Sequence, residues 1–266
     1  MAYCHAGCPR EDVIAELGRR GLLDKDGGTA LACRPDPEKM ERRHAAGAID
    51  RRRRIALAQD IWRSSYPAMG TSVQIYLRSR GITIEPPATL KMCGMHGPYG
   101  RHPSGERRPA MVALVEHVEN GPVGAHLTFL AIDGSSKPTV EPVRMSHGPV
   151  GGAAVRLAPA AETLLVGEGI ETCMSAMQAM TMPAWAALST SGLKALMLPA
   201  IVRTVIILVD NDANGAGERA ARAAAERWRA EGRRVRIAMP AAVGQDFNDL
   251  LLGRSASEIA ETRNVA

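Results

Sequence analysis

The sequence predicts an α/β protein, with a parallel sheet flanked by helices in its C-terminal part. A small mixed α+β subdomain precedes the sheet, and an N-terminal helical segment precedes both. Three observations carry this. After Gly152, continuous apolar runs alternate with helical patterns, as in parallel strands buried on both faces. Between Ile82 and Gly152, short β-type runs are separated by Gly, Pro, Asn and Ser clusters. Before Gly81, apolar residues recur at helical spacing.

In chain order, a short helical pattern runs from Glu11 to Arg20 and stops at Gly21. The charged, Ala-rich stretch 35–65 reads as one long helix, because Ile55, Ala58, Ile61 and Trp62 fall on one face. Its run Arg51–Arg54 covers every side of one turn, so it is either solvated surface or a phosphate-contacting face. Pro67 and Gly70 break the pattern, and residues 71–80 form one more helix before Gly81. Strands are expected at Met111–Val115, His126–Ile132 and Val140–Met145, in a small mixed or antiparallel sheet. The parallel part follows, with strands at Thr163–Val166, Ala184–Leu188, Thr204–Val209 and Arg234–Met239. Helices at Glu171–Met180, from Leu193 and at Gly217–Ala230 intervene. The expected division is therefore 1–80, 81–155 and 156–266.

Composition narrows the class. Hydrophobic content of 45% with 23% charged residues is that of an ordinary globular protein. Aromatics are only 3%, so Ala, Val, Leu, Ile and Met must build the core, and little is left for a base-stacking platform. No apolar run reaches membrane-spanning length and no signal pattern opens the chain, so a cytoplasmic location without membrane attachment is expected. Five scattered cysteines argue against a disulfide framework. The net charge of +5 is uneven: residues 1–110 hold 19 basic against 12 acidic residues, and the remainder is slightly acidic. A basic front and an acidic back fit a polyanion-binding half joined to a metal-binding half.

The chemistry points to the strand ends, where ligands bind in parallel α/β sheets. The first parallel strand runs into Gly167-Glu168-Gly169, and the third into Asp210-Asn211-Asp212. Residues two apart on an extended segment point the same way, so Asp210 and Asp212 can face one hard cation while Asn211 turns aside. Glycines 167 and 169 let the backbone near Glu168 approach a neighbour closely. Three converging carboxylates repel one another, and Mg²⁺ relieves that repulsion. A plainer reading makes Asp212 or Asn214 a cap for the following helix. Asp210-x-Asp212-x-Asn214-Gly215 also begins like a calcium loop, but its twelfth position is Ala221 where Glu is required. Gly167-x-Gly169 lacks the third small residue of a dinucleotide fingerprint, and no GxxxxGK[ST] phosphate loop exists.

The segments LLVGEGIETCMSAM, VIILVDNDANGAGERAA and Gln245-Asp246-Phe247-Asn248-Asp249-Leu250-Leu251 together resemble the Toprim domain of bacterial primases, topoisomerases and related nucleases. The likeness is nearest to the primase-like proteins of phages, plasmids and mobile elements, and it covers roughly residues 160–255. It implies a Toprim-type sheet in which Glu168, Asp210 and Asp212 are catalytic and hold Mg²⁺ (or Mn²⁺), with Glu168 as metal ligand or general acid/base. Asp246 and Asp249 match the downstream acidic motif, so Asp246 joins the implied metal set; Gln245 stands where the family often has Lys. Upstream, Leu90-Lys91, His102-Pro103, residues 109–112, residues 124–130 and Lys137 resemble the basic subdomain before Toprim. This implies nucleic-acid or nucleotide binding by Arg101, Arg107, Arg108, Lys137 and Arg144. At the front, Cys4, His5 and Cys8 look like the second half of a zinc ribbon. A structural zinc takes four ligands. The first pair would fall before Met1, so the resemblance implies a truncated or decayed ribbon, and Zn²⁺ is not expected in this chain.

The leading expectation is therefore a Mg²⁺-dependent, primase-like nucleotidyltransferase acting on single-stranded DNA and nucleoside triphosphates during replication of a mobile element. Any helicase partner would be a separate polypeptide. A metal-dependent Toprim nuclease and a non-catalytic DNA-binding replication accessory are the alternatives. A topoisomerase is disfavoured, because the chain lacks room for a tyrosine-bearing strand-passage domain.

Overall fold

The computed structural model describes residues 9–21 and 37–253. The chain divides into two compact units, Met1–Asp50 and Arg51–Ala266. In the first, α1 (Arg10–Arg19) carries Glu11 and Asp12 in its first turn and Arg19 in its last, complementing the helix dipole. Helix α2 (Pro37–Arg63) begins in the first unit and ends in the second.

The second unit is organised by one ten-stranded mixed sheet. In chain order come β1 (Tyr66–Pro67), α3 (Ser72–Ser79), β2 (Leu90–Cys93), β3 (Ala110–His117), β4 (Gly121–Phe129), β5 (Arg144–His147) and β6 (Ala154–Arg156). Then follow β7 (Thr163–Gly167), α4 (Ile170–Met180), β8 (Ala184–Ala186), α5 (Thr190–Ala195), β9 (Thr204–Leu208), α6 (Ala216–Ala230), β10 (Arg234–Ala238) and α7 (Phe247–Leu251). The strand order is β1-β2-β3-β6-β8-β7-β9-β10, with β4 and β5 extending from β3. Strands β8, β7, β9 and β10 are mutually parallel, and the remaining pairings are antiparallel.

The continuous apolar runs are explained by burial on both faces. Along β7, Leu165 enters one core while Leu164 and Val166 enter the other. Along β9, Val205 and Ile207 share that second core, and Leu208 faces the first. Helix α4 covers the first face with Cys173, Met174 and Ala176. Helix α6 covers the second with Ala220, Ala221, Ala224, Ala225 and Trp228. Alanine at these contacts lets α6 lie close to the sheet, and Trp228 fills the volume they leave. A third core forms where Ala58 and Ile61 of α2 pack on Ala110, Val112, Leu127 and Phe129. Arg51–Arg54 are all exposed.

Two expectations need correction. The mixed strands after Gly81 do not make a separate sheet: β6 pairs with β3 on one side and β8 on the other, joining them to the parallel strands. The strand expected at Val140–Met145 begins only at Arg144, because Pro142 has no N–H to give a ladder. Among the described residues, no helix is long and apolar enough to cross a membrane.

Candidate active site

Parallel pairing sets the site. Gly167 is level with Leu208 on β9 and with Ala186 on β8, so Glu168 and Asp210 leave the same end of the sheet. Gly167 packs tightly there: a Cβ would stand 3.0 Å from Cys173 Sγ and 3.3 Å from Leu208 Cβ. The amide of Leu188 donates to the Glu168 carbonyl at 2.9 Å, and Leu188 takes φ +70°, unusual for a γ-branched residue and a local backbone strain.

Glu168, Asp210 and Asp212 line one cavity of about 230 Å³, together with Thr190, Asn214, Ala216 and Gly217. Gly217 opens α6 toward this cavity; a Cβ there would meet Glu168 Oε1 at 3.5 Å. The Asn211 side chain turns away and donates to the Pro240 carbonyl at 2.9 Å. Asp212 is exposed and does not cap α6; Asn214 Oδ1 accepts from the Ala216 amide at 2.8 Å instead.

The acids feel one another. Burial, then Asp246, Asp212 and Glu168, push the Asp210 carboxyl up to about 7, against hydrogen bonds from the Thr172 hydroxyl at 3.3 and 3.4 Å. Glu168 is also raised, by burial and then by Asp212. A half-buried carboxylate group that resists ionisation is what a hard divalent cation relieves, and an all-oxygen donor set suits Mg²⁺. Among the described residues, no three His, Cys, Asp or Glu side chains already close around one point as a metal shell. Mg²⁺ typically uses one or two carboxylates plus water.

Asp246 has a structural duty as well. It caps α7, accepting from the Asp249 amide at 2.8 Å while Asp249 returns the bond to the Asp246 amide at 3.2 Å. Arg80 lies 3.8 Å from its carboxylate. Asp246→Ala is therefore expected to cost about 1 kcal/mol in a urea titration of metal-free protein, with Asp246→Asn nearly neutral because Asn caps as well. Equal stability of the Ala variant and the native chain would contradict the capping role.

The basic residues separate into two groups. Lys137 and Arg144 meet the buried Glu171, their charges 2.8 and 3.9 Å from its carboxylate. Arg144 and Glu171 also line a small crevice with Glu168, His126 and Thr128. Arg101, Arg107 and Arg108 lie instead in the β2–β3 connection. There Arg101 and Arg107 bridge one another, and their guanidiniums donate to the Gly105 and Met95 carbonyls, while Arg108 pairs with Glu106. Cys4, His5 and Cys8 lie outside the described residues.

Sequence reasoning did not single out Glu171, Tyr76, His126 or Thr172. Glu171 is buried in α4 and accepts from the Tyr76 hydroxyl at 2.6 Å. Burial alone would raise its carboxyl, but Lys137, Arg144 and the Tyr76 hydrogen bond outweigh this and hold it at about 2. Lys137 is lowered by burial, with Glu171 opposing. His126 is pushed down to about 4 by burial and then Arg144, so it is neutral and bonds Ser146 through Nδ1 at 2.8 Å. The available signal was the apolar company of Glu171 in Ile170-Glu171-Thr172-Cys173, an acid in the first turn of a helix that had to be buried.

A Toprim domain model matches residues 163–257, and a model described as a domain of unknown function, DUF7146, matches residues 52–157. No curated protein matches the chain. Among solved structures, a DNA primase domain from Pseudomonas aeruginosa is similar at 18% identity and TM-score 0.50, covering 78% of this chain and 77% of that one. A DnaG catalytic core is similar at 18% identity and TM-score 0.52, covering 79% and 78%. The DnaG primase catalytic domain bound to single-stranded DNA is similar at 17% identity and TM-score 0.50, covering 81% and 82%. At these identities the likeness is one of fold. Residues 163–257 thus match a Toprim domain, and the fold of the chain is similar to that of DNA primase catalytic cores.

Proposed function

We propose that the chain is a divalent-metal-dependent, primase-like nucleotidyltransferase that joins nucleoside triphosphates on a single-stranded DNA template. The observation that carries this is the shared cavity of Glu168, Asp210 and Asp212 at the carboxyl ends of β7 and β9, with Arg144 in an adjoining crevice that Glu168 also lines. Asp210 and Asp212 would hold Mg²⁺ or Mn²⁺, with Glu168 as a further ligand or as the group that takes a proton from the attacking hydroxyl. Bound there, the metal supplies charge neutralisation at the transferring phosphate and stabilises attacking and leaving oxygens. Lys137 and Arg144 would orient phosphate oxygens. Asp246 contributes charge at second remove, through Asp210. Arg101, Arg107 and Arg108 would meet template backbone, so residues 81–155 would hold nucleic acid and 156–266 the chemistry. The proposed setting is cytoplasmic replication of a mobile element, with any helicase supplied by another chain and with no zinc from Cys4, His5 and Cys8.

The test is incubation with single-stranded DNA, labelled nucleoside triphosphates and Mg²⁺ or Mn²⁺, resolving products by size. Short extended products are expected. Metal-dependent shortening of the DNA would replace this reading with a nuclease. DNA binding without either product would make the chain a replication accessory.

A further inference from the structure

Glu171 is the buried acid that the proposed chemistry leaves unused. Although only three residues from Glu168, it turns from the metal cavity and gathers groups from three other parts of the chain. The Tyr76 hydroxyl of α3 donates to Oε1 at 2.6 Å, Lys137 Nζ, from the β4–β5 connection, stands 2.8 Å from the same oxygen, and Arg144 Nη2 of β5 lies 3.9 Å from Oε2. The Glu171 side chain is 7% exposed, against 28% for Lys137 and 49% for Arg144, so the anion is interior and the cations reach outward from it. Glu168 borders both compartments: the crevice shared with Arg144 and Glu171, and the cavity shared with Asp210 and Asp212.

The charge arithmetic decides what this arrangement does. Two cations on one carboxylate leave a net positive charge beside the acids. Without the Glu171 anion, Lys137 and Arg144 would lose their interior partner, and Glu168 is the carboxylate left in the same crevice. That collapse would quench both the acid and the cations. We propose that Glu171 is a positioning residue that holds Lys137 and Arg144 off Glu168, so that their free donor groups meet the phosphates of a nucleoside triphosphate. The inference rests on the nucleotidyltransferase reading of the site. It assigns Glu171 no contact with substrate or metal.

A variant cycle tests it, because a residue acting only through Lys137 and Arg144 has nothing further to lose once both cations are gone. The readout is direct calorimetric binding of ATP with Mg²⁺ to the full chain, in parallel with thermal unfolding. Glu171→Gln is expected to weaken ATP binding by about tenfold, and Lys137→Gln/Arg144→Gln/Glu171→Gln to bind like Lys137→Gln/Arg144→Gln. Native-like ATP affinity in Glu171→Gln, or further weakening when Glu171→Gln is added to Lys137→Gln/Arg144→Gln, would overturn the positioning role while leaving the nucleotidyltransferase reading intact. Absence of ATP binding by the unmodified chain would instead overturn that reading and the inference with it. If Glu171→Gln alone fails to fold, the triple variant is compared with Lys137→Gln/Arg144→Gln: equal affinity supports the proposal and further weakening overturns it.

Discussion

Asp210→Asn is expected to lower metal-dependent nucleotide incorporation by at least about a hundredfold, while making the metal-free protein more stable. Both effects come from one carboxylate. Asp210 shares the cavity wall with Glu168 and Asp212 and feels the charge of Asp246. Its ionised form is needed to hold a cation and is costly when no cation is present. The sign follows from linkage. The folded carboxyl titrates at about 7, above its ordinary value, so between roughly pH 4 and 7 the folded state binds more protons than the unfolded chain. Stability contributed by this group therefore falls as pH rises through that window and is level above it. Discounted for partial solvent access, the penalty near pH 8 is about 2 kcal/mol. Asn keeps the acceptor for the Thr172 hydroxyl and removes the charge. Urea titrations in chelator should show the variant more stable than the native chain at pH 8 and no different at pH 4.5. Equal stability at both pH values would mean that the carboxylates do not repel as described, and near-native activity would remove Asp210 from the site.

Apparent affinity for Mn²⁺ should fall steeply below pH 7, by about tenfold for each pH unit, and stay level above pH 8. The proton on Asp210 must leave before the carboxylate can serve as ligand, so cation and proton compete for one group. The charges facing it are Glu168, Asp212 and Asp246, all of which favour keeping the proton, with Arg80 paired to Asp246 and offsetting part of that effect. Free Mn²⁺ measured by electron paramagnetic resonance reports binding without any turnover. A flat profile from pH 5.5 to 8.5 would separate Asp210 from cation binding. A profile whose break moves to lower pH in Asp246→Asn would show that the α7 cap also tunes the site.

Much of the architecture was legible because its pattern is local. The four parallel strands fall where continuous apolar runs stand, since burial on both faces leaves no room for polar alternation, as Leu164, Leu165 and Val166 show. Gly167 and the Asp210-x-Asp212 spacing are likewise local features, although both aspartates lie past the end of β9, where the Asp212 amide donates to the Asp210 carbonyl at 2.9 Å. Other features depend on partners distant in sequence. That β6 joins the mixed strands to β8 is a pairing of three-residue segments, too short to leave a periodic signal. Nor does spacing reveal that Lys137 and Arg144 meet Glu171 while Arg101, Arg107 and Arg108 remain on the β2–β3 connection. Glu171 shows the same limit most sharply, because its meaning lies in Tyr76, 95 positions away, and in two cations carried to it by the β-sheet. Strand and helix periods are written into neighbouring residues. Charge balance in a buried cluster is set by which elements the sheet brings together, and only the folded chain decides that.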